Sequence, residues 1–178
     1  MKKLILLLAI TLSFISTTGA QNYMYVGDNQ YPSTETWKFN INGNAYGRYL
    51  EVTIGRDGSK GLVMLETQVA FNNDYIGGNV YIFLSDGSRI TCTDKNIRDY
   101  VDSKSVAIYK LTSTEVERMK TNYITQIRFT ILPSSRPFNG TYTANNITLE
   151  AYYDQEFKRI PPGVGSHYKI DEAIRELF

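Results

Sequence analysis

Apolar and polar residues alternate along much of the chain. Trp37, Phe39 and Ile41 are separated by Lys38 and Asn40, and Asn42-Gly43-Asn44 closes the run. Leu50, Val52 and Ile54 alternate with Glu51 and Thr53. Successive strand side chains point to opposite faces, so a period of two bounded by Gly, Asn and Asp predicts a half-buried strand. Leu62-Val63-Met64-Leu65, within 60–67, is apolar without alternation and predicts a strand covered on both faces. Residues 56–61 between these strands read as a tight hairpin with Asp57-Gly58 at its tip.

A second hairpin follows. Val80-Tyr81-Ile82-Phe83-Leu84 is a strand, Ser85-Asp86-Gly87-Ser88 a turn in which Gly87 is free to take positive φ, and 89–93 the returning strand. Residues 105–111 form another strand, with Val106 and Ile108 on one face and Ala107 and Tyr109 on the other. The period then changes. Thr112-Ser113-Thr114-Glu115 matches a capping box. Val116 and Met119, three apart, share the inward face of a short helix that Asn122 ends, and Arg118 and Lys120 suit the negative end of its dipole. Residues 124–132 return to strand, with Ile127, Phe129 and Ile131 inward and Gln126, Arg128 and Thr130 outward, until Pro133.

Beyond Ser134 the pattern supports two readings. Residues 141–143 and 147–153 fit a strand pair, while 146–158 also fits a helical spacing. Residues 160–165, rich in Pro and Gly, form a linker, and 167–178 fits an amphipathic helix with Ile170, Ile174 and Leu177 on one face. The fold class expected is all-β, a mainly antiparallel sandwich or barrel, with one short capped helix and a C-terminal helix.

The first twenty residues stand apart. Lys2 and Lys3 precede an apolar run from Leu4 to Ile10, and Ser16 to Ala20 are mostly small residues. That is the three-part pattern of a secretory signal peptide, bacterial in its shortness, with cleavage expected after Ala20. The run is too short for a comfortable membrane span, so no transmembrane segment is expected once the leader is removed. Residues 21–178 then form a single β-rich domain, secreted or periplasmic, with 160–178 as its C-terminal linker and helix. Losing Lys2 and Lys3 takes the 19 basic residues to 17 against 18 acidic, a net −1 rather than +1. Such a balance excludes a whole-chain basic footprint for nucleic acid.

Composition thins the chemistry further. One His and one Cys cannot supply a conventional zinc site, and Cys92 alone can form no internal disulfide. Cys92 sits in an alternating strand and reads as a buried thiol. His167 reads as a loop or helix-entry residue, since its neighbour Ser166 in sequence implies no triad in space. No phosphate loop is present. The calcium-loop pattern at Asp94-Lys95-Asn96 fails at Arg98, and Asn72, Asn73 and Asp74 fit a plain turn better than an oxygen-ligand site. Asn139-Gly140-Thr141 and Asn146-Ile147-Thr148 match the glycosylation pattern by chance. No cofactor, metal or catalytic residue is assigned.

What remains is 14 Tyr against one Trp. Tyr81, Phe83 and Tyr109 would form one aromatic stripe if their strands were neighbours, suited to a glycan or to another envelope protein. The alternative is a second core layer. The expected function is a non-enzymatic binding or envelope-associated module of unassigned ligand. Its competitors are a carboxylate-dependent hydrolase acting on glycans, for which Glu66, Asp86, Glu150 and Asp154 are unmarked candidates, and a structural subunit that assembles through a strand edge such as 23–26.

Overall fold

A computed structural model describes residues 21–148 and 167–178. The expected signal peptide, the linker and most of the ambiguous 147–158 stretch lie outside these residues. Among those described, eleven strands and two helices follow one another: β1 (Asn22–Val26), β2 (Asn29–Ser33), β3 (Trp37–Asn42), β4 (Tyr49–Asp57), β5 (Lys60–Gln68), β6 (Tyr75–Leu84), β7 (Arg89–Cys92), β8 (Ile97–Val101), β9 (Lys104–Leu111), α1 (Ser113–Thr121), β10 (Ile124–Leu132), β11 (Gly140–Asn145) and α2 (Ile170–Leu177). All pairings are antiparallel, in the order β7-β6-β10-β11-β3-β4-β5-β9-β8, with β2 joined to β4 and β1 to β2. The sheet does not close. It curls until β6 faces β8 and β9, giving a sandwich rather than a barrel.

The facing arms are tied by side chains instead of a ladder. Ile76 N–H donates to Ser105 Oγ at 2.8 Å, and Arg98 Nε donates to the Ile76 carbonyl at 2.9 Å. Gly78 N–H donates to Asp94 Oδ2 at 2.8 Å, and the Tyr109 hydroxyl donates to the Gly78 carbonyl at 3.1 Å. These bonds occupy backbone groups of β6 near Gly77 and Gly78, where its register against β10 shifts. Between the arms lies one core. Phe39, Leu50, Val52, Ile54, Val63 and Leu65 come from one side, and Ile82, Ile90, Ile127 and Phe129 from the other. The inward positions expected from the alternation are the buried ones.

The helices cover one end of this core. Thr112 and Glu115 form the capping box as expected, and Val116 and Met119 are buried. In α2, Ile170, Ile174 and Leu177 join the same core. Its position is set by Asn146, whose amide donates to the carbonyls of Ile124 (2.7 Å) and Tyr168 (3.0 Å) while its oxygen accepts from Tyr168 N–H (2.8 Å). The glycosylation-like Asn146 is therefore a buried clamp.

The β1–β2 hairpin folds over the outer face of the second arm. Met24, with Val26 and Tyr31, packs on Leu62, Met64, Ile97 and Ile108. Gly55 permits this contact, since a Cβ there would lie 2.5 Å from the Met24 sulfur. Val106 and Ile108, apolar but outward, belong to this face and not to the core.

Several local expectations are corrected. The first hairpin turns at Gly58-Ser59, because Asp57 pairs with Lys60. Segment 23–26 is not a free strand but one half of a hairpin, with only its outer edge open among the described residues. β11 pairs with β10 and β3, residues 146–148 carry no regular element, and the rest of the 146–158 stretch lies outside the described residues. β8, Ile-Arg-Asp-Tyr-Val with only Ile97 and Arg98 partly buried, shows no alternation in its sequence.

Replacing Asn146 by Ala removes a partner of the buried Ile124 carbonyl and of the partly buried carbonyl and N–H of Tyr168. The expected loss is about 3 kcal/mol, or a fall of about 10 °C in the unfolding midpoint. Thermal unfolding by circular dichroism checks this; an unchanged midpoint would show that the clamp holds nothing.

Candidate functional site

Tyr81 and Phe83 do share a face, the outer face of β6, and both are half-buried. Their ring faces are already occupied. The Arg89 guanidinium lies 4.9 Å from the centre of the Tyr81 ring, and that of Arg128 lies 5.5 Å from the Phe83 ring. Neither arginine has a carboxylate partner among the described residues, so this face presents cations rather than aromatic platforms.

Tyr109 is not part of that stripe. β9 forms no backbone ladder with β6, and the Tyr109 ring lies in the core at 1% exposure with its hydroxyl on the Gly78 carbonyl. Burial pushes its pKa well above the ordinary range for a phenol. The expected three-residue stripe is thus not formed; Tyr109 is one of the ties that hold the arms together.

The exposed rings lie elsewhere. Antiparallel topology puts loops 43–48, 69–74 and 133–139 at the end of the sandwich opposite the helices. Tyr46 (54% exposed), Phe71 (48%) and Phe138 (50%) stand on these loops, with Tyr75 at the adjoining start of β6. Tyr46 and Phe138 meet edge-on, with ring centres 6.1 Å apart. Phe138 sits at φ +65°, a left-handed conformation that a bulky residue rarely adopts. Loop bonds hold it there: its carbonyl accepts from the Tyr142 hydroxyl at 2.7 Å, and Asn139 Nδ2 and Arg136 N–H both donate to the Pro133 carbonyl. Arg136 also joins two loops. It donates to Asn73 Oδ1, pairs with Asp74 Oδ1 at 2.9 Å and caps the Phe71 ring. The Asp74 carboxylate is fully buried, and its other oxygen has no hydrogen-bond partner. The Asn72-Asn73-Asp74 turn is therefore an anchor for Arg136. Among the described residues no group of His, Cys, Asp and Glu could hold a metal ion.

Beside Tyr46 a cleft of about 290 Å³ opens on the outer face of β3, β4, β5 and β9. Lys38, Arg48, Glu51, Gln68 and Lys104 line it, together with Tyr46 and Tyr49. Gly47 forms part of its wall, and a Cβ at that position would strike Thr67 Oγ1. Glu51 stands opposite Glu66 across the β4–β5 ladder. Two ammonium groups meet Glu51, Lys104 at 2.6 Å and Lys38 at 3.8 Å, one on each carboxylate oxygen. Glu66 has its pKa raised by partial burial and by the Glu51 charge, with Lys104 opposing. These two carboxylates do not divide into a free base and a poised acid, because Glu51 is held by lysines on both oxygens. Asp86 lies far off, in the exposed β6–β7 turn, and Glu150 and Asp154 lie outside the described residues.

Cys92 is buried, and burial together with the charge of Glu115 pushes its thiol up to about 12. Almost no thiolate forms at neutral pH, so it is no nucleophile. His167 stacks on Tyr123 with ring centres 4.2 Å apart. The loop aromatics Tyr46, Phe71 and Phe138 were missed in the sequence because they lie among Gly, Asn and Pro, outside any alternating run. The one signal for them was that same neighbourhood: large rings at turns, where no core takes them up.

The fold and the loop end define an all-β sandwich with an aromatic-rimmed, mixed-charge cleft. Comparison with protein-family models, with curated proteins and with solved structures finds no match for this chain.

Glu66 yields a pH test. Its folded pKa lies above the ordinary 4.5, so the native state keeps the proton longer than the unfolded state. Stability attributable to it is present at low pH, falls as pH rises from 4.5 through the folded value, and stays lower above. Glu66→Gln is expected to raise the unfolding midpoint at pH 7 by about 2 °C and to leave it unchanged at pH 3. An equal gain at both pH values would rule out ionisation as the cause.

Proposed function

We propose that this chain is an exported, non-enzymatic binding module of the cell envelope, acting through the aromatic loop end. The exposed Tyr46–Phe138 pair carries the reading. Two large rings half in solvent contribute little to the core, and a left-handed Phe138 is retained only where surrounding bonds enforce it. Strain of this kind clusters at ligand-contacting segments. Rings with open faces suit flat partners such as sugar rings. Export is supported by the leader pattern of residues 1–20. Among the described residues no helix is long and apolar enough to cross a membrane.

Retention of the chain by insoluble polysaccharides (cellulose, chitin, xylan and peptidoglycan) tests the reading. At least one is expected to retain it, and Tyr46→Ala with Phe138→Ala should weaken that retention at least tenfold while the fold persists. Equal retention of the double variant would refute the loop end as the contact.

A second reading, assembly through a strand edge, has one observation in its favour. β1 contains no charged residue and no Pro, the usual protections of an edge, and Tyr23 and Tyr25 are exposed on it at 46% and 65%. The two-residue turn between Val26 and Asn29 directs the backbone groups of Tyr23 and Tyr25 away from β2. Tyr25→Pro removes one outward donor without touching the β1–β2 ladder. If the edge assembles, light scattering should show the wild type shifting to larger species with concentration and this variant staying monomeric. A wild type that is monomeric throughout would exclude the reading.

A further inference from the structure

We infer that the cleft beside Tyr46 takes a carboxylated sugar unit, with Arg48 as the group that meets the carboxylate. The inference rests on the loop end being the binding surface and names the ligand class for it. Charge comes first. Three cations, Lys38, Arg48 and Lys104, line the cleft, with Glu51 the sole carboxylate among its lining residues and Glu66 beside it on the same face. Lys38 and Lys104 are both spent on Glu51. Arg48 is exposed, and among the described residues its guanidinium meets no carboxylate. A planar guanidinium with open donors matches a carboxylate in a two-point contact.

Size and lining come next. The volume of about 290 Å³ is at the small end of ligand sites, room for one ring unit rather than an extended ligand. The lining mixes charged and amide groups with the rings of Tyr46 and Tyr49, which suits an occupant with both polar edges and an apolar ring face, as a sugar has. Glu51, Gln68 and Lys104 supply acceptors and donors for hydroxyl groups, and Tyr46 flanks the cleft with a half-exposed ring that meets Phe138 edge-on. A peptide fits less well. β3, β4, β5 and β9 are each paired on both sides, so the cleft offers no free edge on which an extended backbone could satisfy its own N–H and carbonyl groups.

The test is affinity electrophoresis of the full chain through gels holding polygalacturonate, alginate or hyaluronan, with methyl-esterified polygalacturonate as the uncharged match. Poly-glutamate and dextran sulfate serve as the acidic peptide and the plain polyanion. At least one uronate polymer should retard the chain about tenfold more strongly than the ester. Arg48→Gln should abolish that preference and Arg48→Glu should reverse it, both with unchanged unfolding midpoints, while Lys60→Gln on the far hairpin behaves as wild type. Equal retardation by acid and ester overturns the inference but leaves the aromatic contact standing. Retardation by none of the sugar polymers overturns both. Poly-glutamate or dextran sulfate holding the chain as tightly as the best uronate overturns the sugar assignment.

Discussion

A curled antiparallel sheet that stops short of closure must satisfy its facing strands in some other way, and here side chains supply the bonds. Ser105, Arg98, Asp94 and Tyr109 of the second arm reach backbone groups of Ile76 and Gly78 on β6. An unpaired backbone group at the mouth of a core costs on the order of 1–3 kcal/mol, so the apposition of the arms depends on these four contacts as a set. They also account for two residue choices that are otherwise odd. Tyr109 is a phenol inside an aliphatic core because its ring fills volume while its hydroxyl reaches a carbonyl. Asp94 stands in the β7–β8 connection, where the chain passes from one arm to the other, and it secures that passage by holding Gly78 N–H and pairing with Arg98.

The two ends of the sandwich follow from this closure and differ in kind. At one end α1 and α2 lay Val116, Met119, Ile170, Ile174 and Leu177 over the gap between the arms. At the other end none of the described helices lies, and loops 69–74 and 133–139 cover the core. They are joined by an ion pair of the buried Asp74 carboxylate with the partly exposed Arg136. That pair orders the loops while leaving Phe71, Tyr46 and Phe138 turned outward. The end reached by the loops, not by the two described helices, is therefore the end that presents rings.

Local features were legible in the sequence and long-range ones were not. The capping box at Thr112, the Gly87 turn at φ +80° and the inward row Ile127, Phe129, Ile131 rest on contacts within a few residues, and the structure has them as expected. Which strand lies beside which is a different matter. Alternation places Tyr109 on the face opposite Val106, but whether that face is core or solvent depends on β9 sitting next to β5 rather than β6. Nothing within residues 105–111 encodes that choice. The same limit hid the β1–β2 hairpin, since Val106 and Ile108 read equally well as core positions until Met24 is placed on the outer face. Tyr46 and Phe138 escaped for a further reason. They are 92 residues apart, and only the fold brings them together.

The placement of charge follows the same division. On the outer face of β6, Arg89 and Arg128 lie over Tyr81 and Phe83, diagonal to them across the strands, and those contacts stabilise the sheet while using up the ring faces. On the outer face of β4 and β5, two carboxylates directly opposite each other would repel, and Lys104 and Lys38 offset this at Glu51. Glu66 keeps a raised pKa chiefly because it is partly buried, with the Glu51 charge adding to the rise and Lys104 opposing it. Neutralisation within that group leaves Arg48 as the cation of the cleft that no carboxylate balances among the described residues. Within the described residues, a sheet face that stabilises itself by internal pairing thus still carries a guanidinium without a carboxylate, and it carries it beside the exposed ring of Tyr46.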